Sequence, residues 1–298
     1  MTTIDLGNQL NKLACAARTT LFRQSELAQL TYGAFDIAYR KVQDDSNEVV
    51  ELSFPVGWTA DHRPISSTKK YSKQELLTQY QFLAINQLAS NGILHLVTIV
   101  EAMTEDLLRA VFLKYPHKVG SDTKVAVGSI LECTSIEAVH AHAVETLLNR
   151  LAYKSPAEIA DEVEKQMGIN LLECGAFHRY MEIKATRDVY IHNRGMANKT
   201  YVRKAGQHAR VQTGSFLPTD VQYFLESFEQ CVQLTEWWEK QLHDKWHSSE
   251  YEARAHAPQT GSDASTPAPI DDVSEQLRLL AQKFLKPKSE DVQVRSVL

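Results

Sequence analysis

AFHRYMEIKATRDVYIHNRG (residues 176–195) is the stretch on which the reading of this chain turns. It reads as one helix, and Gly195 stops it, because glycine enters the left-handed backbone that ends a helix without steric cost. Its last turns carry Arg187, Asp188, His192, Asn193 and Arg194. Such a group is either the polar end of an ordinary surface helix or a device for breaking a phosphodiester bond.

On a helix turning about 100° per residue, Arg187 and His192 point about 140° apart, whereas Arg187 and Arg194 nearly coincide. One helix does not put the arginine and the histidine on a narrow stripe. Two copies facing each other across a two-fold axis would gather both pairs around one cleft. The spacing therefore favours a homodimer. The residue types suit RNA cleavage without a metal or other cofactor. Histidine titrates near neutral pH and serves as base or acid. Arginine keeps its charge and presents a planar fork to phosphate oxygens. Asp188 is placed to orient it.

The 298-residue chain is 43% hydrophobic and has a formal net charge of −5. That is the composition of a soluble globular protein with one large or two small domains. A chain this acidic does not coat nucleic acid indiscriminately, so any such contact must come from a local basic patch. One exists: residues 179–210 hold eight Lys or Arg against two acids, Glu182 and Asp188. The four cysteines lie far apart without a CxxC pair, which argues against a zinc site. Apolar runs such as ILHLVTIV (93–100) fall short of the roughly 18 residues of a membrane span. MTTIDLGNQL lacks a secretory pattern. A cytoplasmic protein with no membrane partner is expected.

The pattern along the chain is helical throughout. Residues 1–70 read as an N-terminal helical extension with a loop over 55–70, NEVVELSF (47–54) being a strand or an edge segment. Residues 71–246 form the main helical domain. Within it Ser72 with Glu75, Thr134 with Glu137, Ser155-Pro156 with Glu158, and Thr219 with Gln222 mark helix starts. Asn91-Gly92 marks an end, and 196–217 reads as irregular or a short hairpin. Residues 247–272, rich in Ala, Ser and Pro, read as a disordered linker. Residues 273–298 carry an amphipathic helix over 273–285, a docking element for the domain or for a protein partner.

Other candidate sites are weaker. His140 and His142 point to different helix faces. His243 and His247 have the spacing of a metal pair, but no glutamate lies between them, and a solvated helix end is the preferred reading. Trp237-Trp238 reads as one ring in the core and one at an interface.

The run Arg187-Asp188-Val189-Tyr190-Ile191-His192, with its continuation HNRGMANKTYV, resembles the HEPN superfamily of all-helical ribonuclease and RNA-binding domains. That family's motif is Arg, four to six residues of which the first is usually Asn, Asp or His, and then His. LVTIVEAMTEDLLRAVF (96–112) resembles its first core helix, with Glu101 at the place of a recurrent buried acid. The resemblance covers about residues 90–245. It implies an all-α, antiparallel helical bundle that dimerises and cuts RNA without metal, by attack of a 2′-hydroxyl that leaves a cyclic phosphate. It implies catalysis by Arg187 and His192 with Asp188, supported by Glu101 and Tyr190. Asn193, Arg194, Lys199, Arg203, Lys204 and Arg210 would hold the RNA. The family includes toxins and anti-phage effectors, and also inactive modules that bind RNA, a nucleotide or a protein. In one toxin subgroup a Tyr stands two positions after the His, where this chain has Arg194.

Overall fold

Two serines start helices as their spacing predicts. At Ser72 and at Ser155 the side chain accepts from the amide three residues on, while Glu75 and Glu158 reach back to the serine's own amide. Each pair satisfies two donors that a helix start leaves without partners. The computed structural model describes residues 6–120 and 123–255 and the isolated Leu279, and these described residues are mostly helical, at 73% helix and 8% strand. The described residues divide into two compact units, residues 25–91 with 219–224, and residues 6–24, 92–218 and 225–255.

In the smaller unit, the later part of α1 (Leu6–Asp44) leads to an antiparallel hairpin, β1 (Val49–Trp58) and β2 (Pro64–Ser72). The loop expected over 55–70 is therefore corrected to the second half of a hairpin. Both strands are almost wholly exposed, so no buried face imprints the two-residue alternation from which a strand is read. The hairpin leads into α2 (Lys73–Phe82), where Tyr80 meets Phe35 of α1 at 6.1 Å between ring centroids.

A π-helical turn, Leu83–Gln87, carries α2 without a break into α3 (Leu88–Lys114). Asn91-Gly92 thus does not end a helix; the boundary between the units falls there instead. A glycine inside a helix costs about 1 kcal/mol. Here the flanking Ala89, Ser90, Ile93, Leu96 and Val97 are all buried, and that burial offsets the cost. By length and composition alone the continuous helix Lys73–Lys114 is long and apolar enough to cross a membrane. Its second half is core: Val100, Met103, Leu107, Leu108, Val111 and Phe112 are buried.

The larger unit continues through α4 (Val127–Leu131), α5 (Ile136–Leu151), α6 (Pro156–Met167), α7 (Gly175–Asn193), α8 (Lys199–Ala205), α9 (Val221–Lys245) from Leu225 onward, and α10 (Ser249–Ala255). One start lies one residue beyond the expected cap, since Ser135 caps α5 in place of Thr134. At the start of α9 the Asp220 side chain accepts from the Tyr223 amide. Trp238 is buried and Trp237 half-buried.

Residues 247–255 are corrected from linker to a docked segment, helical over Ser249–Ala255. The Ser248 hydroxyl and the Glu250 amide donate to Asn8 Oδ1 (2.8 and 3.3 Å), Lys12 pairs with Glu250 (3.0 Å), and Arg254 donates to Asn11 and to Glu239. Of these partners Asn8, Asn11 and Lys12 lie more than 200 residues away in sequence, so composition gave no sign of them. Residues 256–272 of the expected linker, and the 273–285 helix apart from Leu279, lie outside the described residues.

Gly7 fixes the approach of α1 to this segment, since a Cβ there would run into the backbone carbonyl oxygens of Trp246 and His247. Gly7→Ala is expected to cost about 1–3 kcal/mol through overpacking, lowering the melting temperature by calorimetry and opening 246–255 to protease. Glu239 is buried with Arg18 3.5 Å and Arg254 3.4 Å away, and desolvation holds its carboxyl above the usual range despite those two cations. A raised folded-state value favours the protonated form, so its contribution to stability is present below the unfolded carboxylate value and is lost as pH rises through the folded one. Glu239→Gln is therefore expected to match wild type near pH 4 and to gain on it towards pH 7, read by urea unfolding at each pH.

Candidate functional site

Helix α7 presents a broad stripe to an open cleft of about 1370 Å³ in the larger unit. Phe177, Met181, Lys184, Asp188 and His192 recur at three- and four-residue spacing along it, with Tyr180 and Arg187 on one margin. Arg187 and His192, wide apart on the helix, thus both line the cleft of a single copy.

Glu101 of α3 faces this stripe. Its two carboxylate oxygens accept from Lys184 Nζ and from Arg187 Nη2, the latter at 2.5 Å. Arg187 Nη1 lies 3.2 Å from Asp188 Oδ1, and Lys204 of α8 donates to the other Asp188 oxygen at 3.0 Å. Three cations therefore share two carboxylates. Arg187 Nε is buried without a hydrogen bond. Beside them the Tyr180 hydroxyl is held well above its ordinary value, first by burial and then by the negative charge of Glu101.

His192 and Arg203 differ in kind from these groups. Both side chains line the cleft, both are exposed, and neither makes a hydrogen bond or ion pair among the described residues. Counting every charged group along the cleft gives five Lys or Arg against four Asp or Glu. Of the further acids, Glu105 is paired with Arg109, and Glu158 is engaged by the Ser155 cap.

The end of α7 is built around its own turn. Arg194 takes left-handed backbone (φ 51°) and Gly195 follows at φ 80°, so the reversal begins one residue before the expected glycine. The amides of both donate to the Val189 carbonyl. A Cβ on Gly195 would lie 2.6 Å from the Phe216 ring, and Leu217 N donates to Gly195 O at 2.8 Å. Tyr190 donates to Leu217 O at 2.7 Å. The Asn193 side chain donates to Met196 O. The segment read as irregular or a hairpin is α8 with a single bridge between Met196 and Phe216.

Of the other basic residues named from the sequence, Arg194 and Lys199 are exposed but do not line the cleft. Arg210 is corrected from an RNA contact to an internal brace. Its Nε donates to Glu182 at 3.0 Å, Nη1 to Pro218 O at 2.6 Å and Nη2 to Thr186 Oγ1 at 3.2 Å. Glu182, which the sequence reading treated only as an acid within the basic stretch, is the hub: Thr186 and the Tyr201 hydroxyl also donate to it. Burial, together with Glu182, pushes the Tyr201 hydroxyl up to about 12. The network ties α7 and α8 to the loop that follows, around the buried cluster of Ala185, Val189, Ala197, Ala205 and Leu217. One signal for it was available, since Glu182 sits one residue from Ile183 and four from Thr186 on the helix side away from the stripe.

No family model, no curated protein and no solved structure matches this chain. The chemistry of the cleft carries the argument.

Glu182→Leu leaves Arg210 and Tyr201 without their shared acceptor. It is expected to cost about 3 kcal/mol, as breaking a buried ion pair does, with α8 amides exchanging faster in hydrogen–deuterium exchange.

Proposed function

We propose that the chain is a metal-independent endoribonuclease of HEPN type, built on a HEPN-like helical bundle and working as a homodimer. The observation that carries this reading is the pairing, in one open cleft, of an exposed and unpartnered His192 with a cluster in which three cations share two carboxylates. A phosphodiester needs both. The residual positive charge attracts the phosphate, and an imidazole moves the proton to or from an oxygen.

In this reading Arg187 faces the non-bridging phosphate oxygens, and Asp188 sets the plane of its guanidinium. His192 takes the proton of the 2′-hydroxyl or returns one to the leaving oxygen. A second copy supplies the complementary histidine across the two-fold axis. Arg203 and Lys204 guide the RNA strand. A role as a toxin or anti-phage effector rests on analogy with the family alone.

One observation favours a second reading, a non-catalytic HEPN module that binds RNA, a nucleotide or a protein. Glu101 and Asp188 already engage the Arg187 guanidinium, so a phosphate must compete with two carboxylates for it.

The two separate in one experiment, incubation of total RNA with the protein in EDTA followed by end-group analysis. The nuclease reading expects cyclic phosphate ends, and a drop in rate of about 10²–10⁴ in His192→Ala. His192 is exposed, so that variant is expected to melt within about 2 °C of wild type. RNA bound but left intact at every pH is the result of the second reading.

A further inference from the structure

Outside the cleft, three side chains able to ligate a metal gather where α9 gives way to α10. His243 lies in the last turn of α9, His247 in the connection, and Glu252 in α10. One donor atom from each lies within 4.8 Å of the others. The histidine pair has no acid between its members in sequence; Glu252 reaches it because residues 249–255 turn back as a helix. His243 is half-buried and its ring is stacked on Tyr251, with 4.6 Å between centroids and 24° between planes. His247 is exposed, its ring 5.2 Å from that of His243 and its Nε2 3.6 Å from Glu252 Oε2. That last separation is beyond a hydrogen bond and leaves room for an ion between the two groups.

We infer that His243, His247 and Glu252 bind one divalent ion of the zinc class. Two imidazoles and a carboxylate, with a fourth position open to water, form a donor set that suits Zn²⁺, with nitrogen and oxygen about 2.0–2.2 Å from the metal. None of the three lines the cleft, so the site is separate from the one proposed to act on RNA.

Loading has a definite proton balance. Ser248 N–H donates to His243 Nδ1 at 3.1 Å, so the neutral ring carries its own proton on Nε2. Binding the ion through Nε2 moves that proton, by way of solvent, to Nδ1. The Ser248 amide then loses its acceptor. Metal and hydrogen bond are alternatives, and the ion takes over from Ser248 in joining the end of α9 to α10. Asn8 and Asn11 already hold the same segment to α1, so the three ligands need little ordering when the ion arrives.

The test uses the full chain, stripped with chelator and dialysed, then titrated with Zn²⁺ by calorimetry and with Co²⁺ by visible absorption. One equivalent is expected to bind and to raise the melting temperature, because the ion binds the folded state. The Ser248 amide resonance is expected to shift and to exchange faster. His247→Ala and Glu252→Gln change exposed side chains, so both variants are expected to fold. Each should weaken Zn²⁺ at least about tenfold, as loss of a ligand or of its support does. Absence of saturable binding to wild type, or equal affinity in both variants, overturns the inference.

Discussion

The carboxylate of Glu101 is the contact on which the arrangement of the cleft depends. It lies between two cations three positions apart on α7, so one acid of α3 fixes the rotation of α7 and the direction of Arg187 together. Its value is geometric more than energetic. The Glu101 side chain is 34% exposed, and pairs open to water in this way contribute little to stability. An arginine cannot relieve its charge by losing a proton. Held by Glu101 on one side and Asp188 on the other, Arg187 keeps its position while part of its field is cancelled. A phosphate that approaches must offer more than Glu101 does, and two charged oxygens in a bidentate contact can do so.

The helical plan was legible because its signals are local. A serine with a glutamate three residues on identifies itself within one turn, as at Ser72 and Ser155. The one-residue miss at Thr134-Ser135 comes from a doublet in which either side chain can cap, and the second residue does. What escaped depends on partners far away or on missing burial. The first strand of the hairpin was legible at 47–54, but the part over 55–70 has no buried face to leave an alternating pattern. The α10 segment is composed like a linker, and is held as a helix by Asn8, Asn11 and Lys12 at the opposite end of the chain.

The candidate site divides the same way. Arg187, Asp188 and His192 were visible by their residue types and their order along one helix; that a single copy brings the widely separated Arg187 and His192 to one cleft was not legible from the spacing. Arg210 was misread because a basic residue in a basic stretch looks the same in sequence whether it faces solvent or a buried acid. Only Glu182, 28 positions earlier, separates the two cases, and its burial is a property of the fold. Lys184 is a different miss. It stands three residues before Arg187 and shares its acceptor, so it belongs to the arginine's surroundings as much as Asp188 does.

For the proposed reading, an acidic chain has to admit a phosphate into one cleft. With a formal charge of −5 overall, the field far from the molecule repels RNA. At physiological ionic strength that repulsion fades over about 8 Å. Inside the cleft the nearest groups decide, and there five lining cations meet four lining acids, with Lys154 paired besides to Glu162 just outside the lining. A surplus that small does not bind backbone at large, because non-specific affinity grows with the number of phosphates neutralised. In the proposed reading it favours a ligand that brings a single phosphate to the cleft with an ionisable oxygen near His192. Selectivity there would follow from scarcity of charge: Glu101 and Asp188 hold the field of Lys184, Arg187 and Lys204 low, and Arg203 is the lining cation without an ion pair among the described residues.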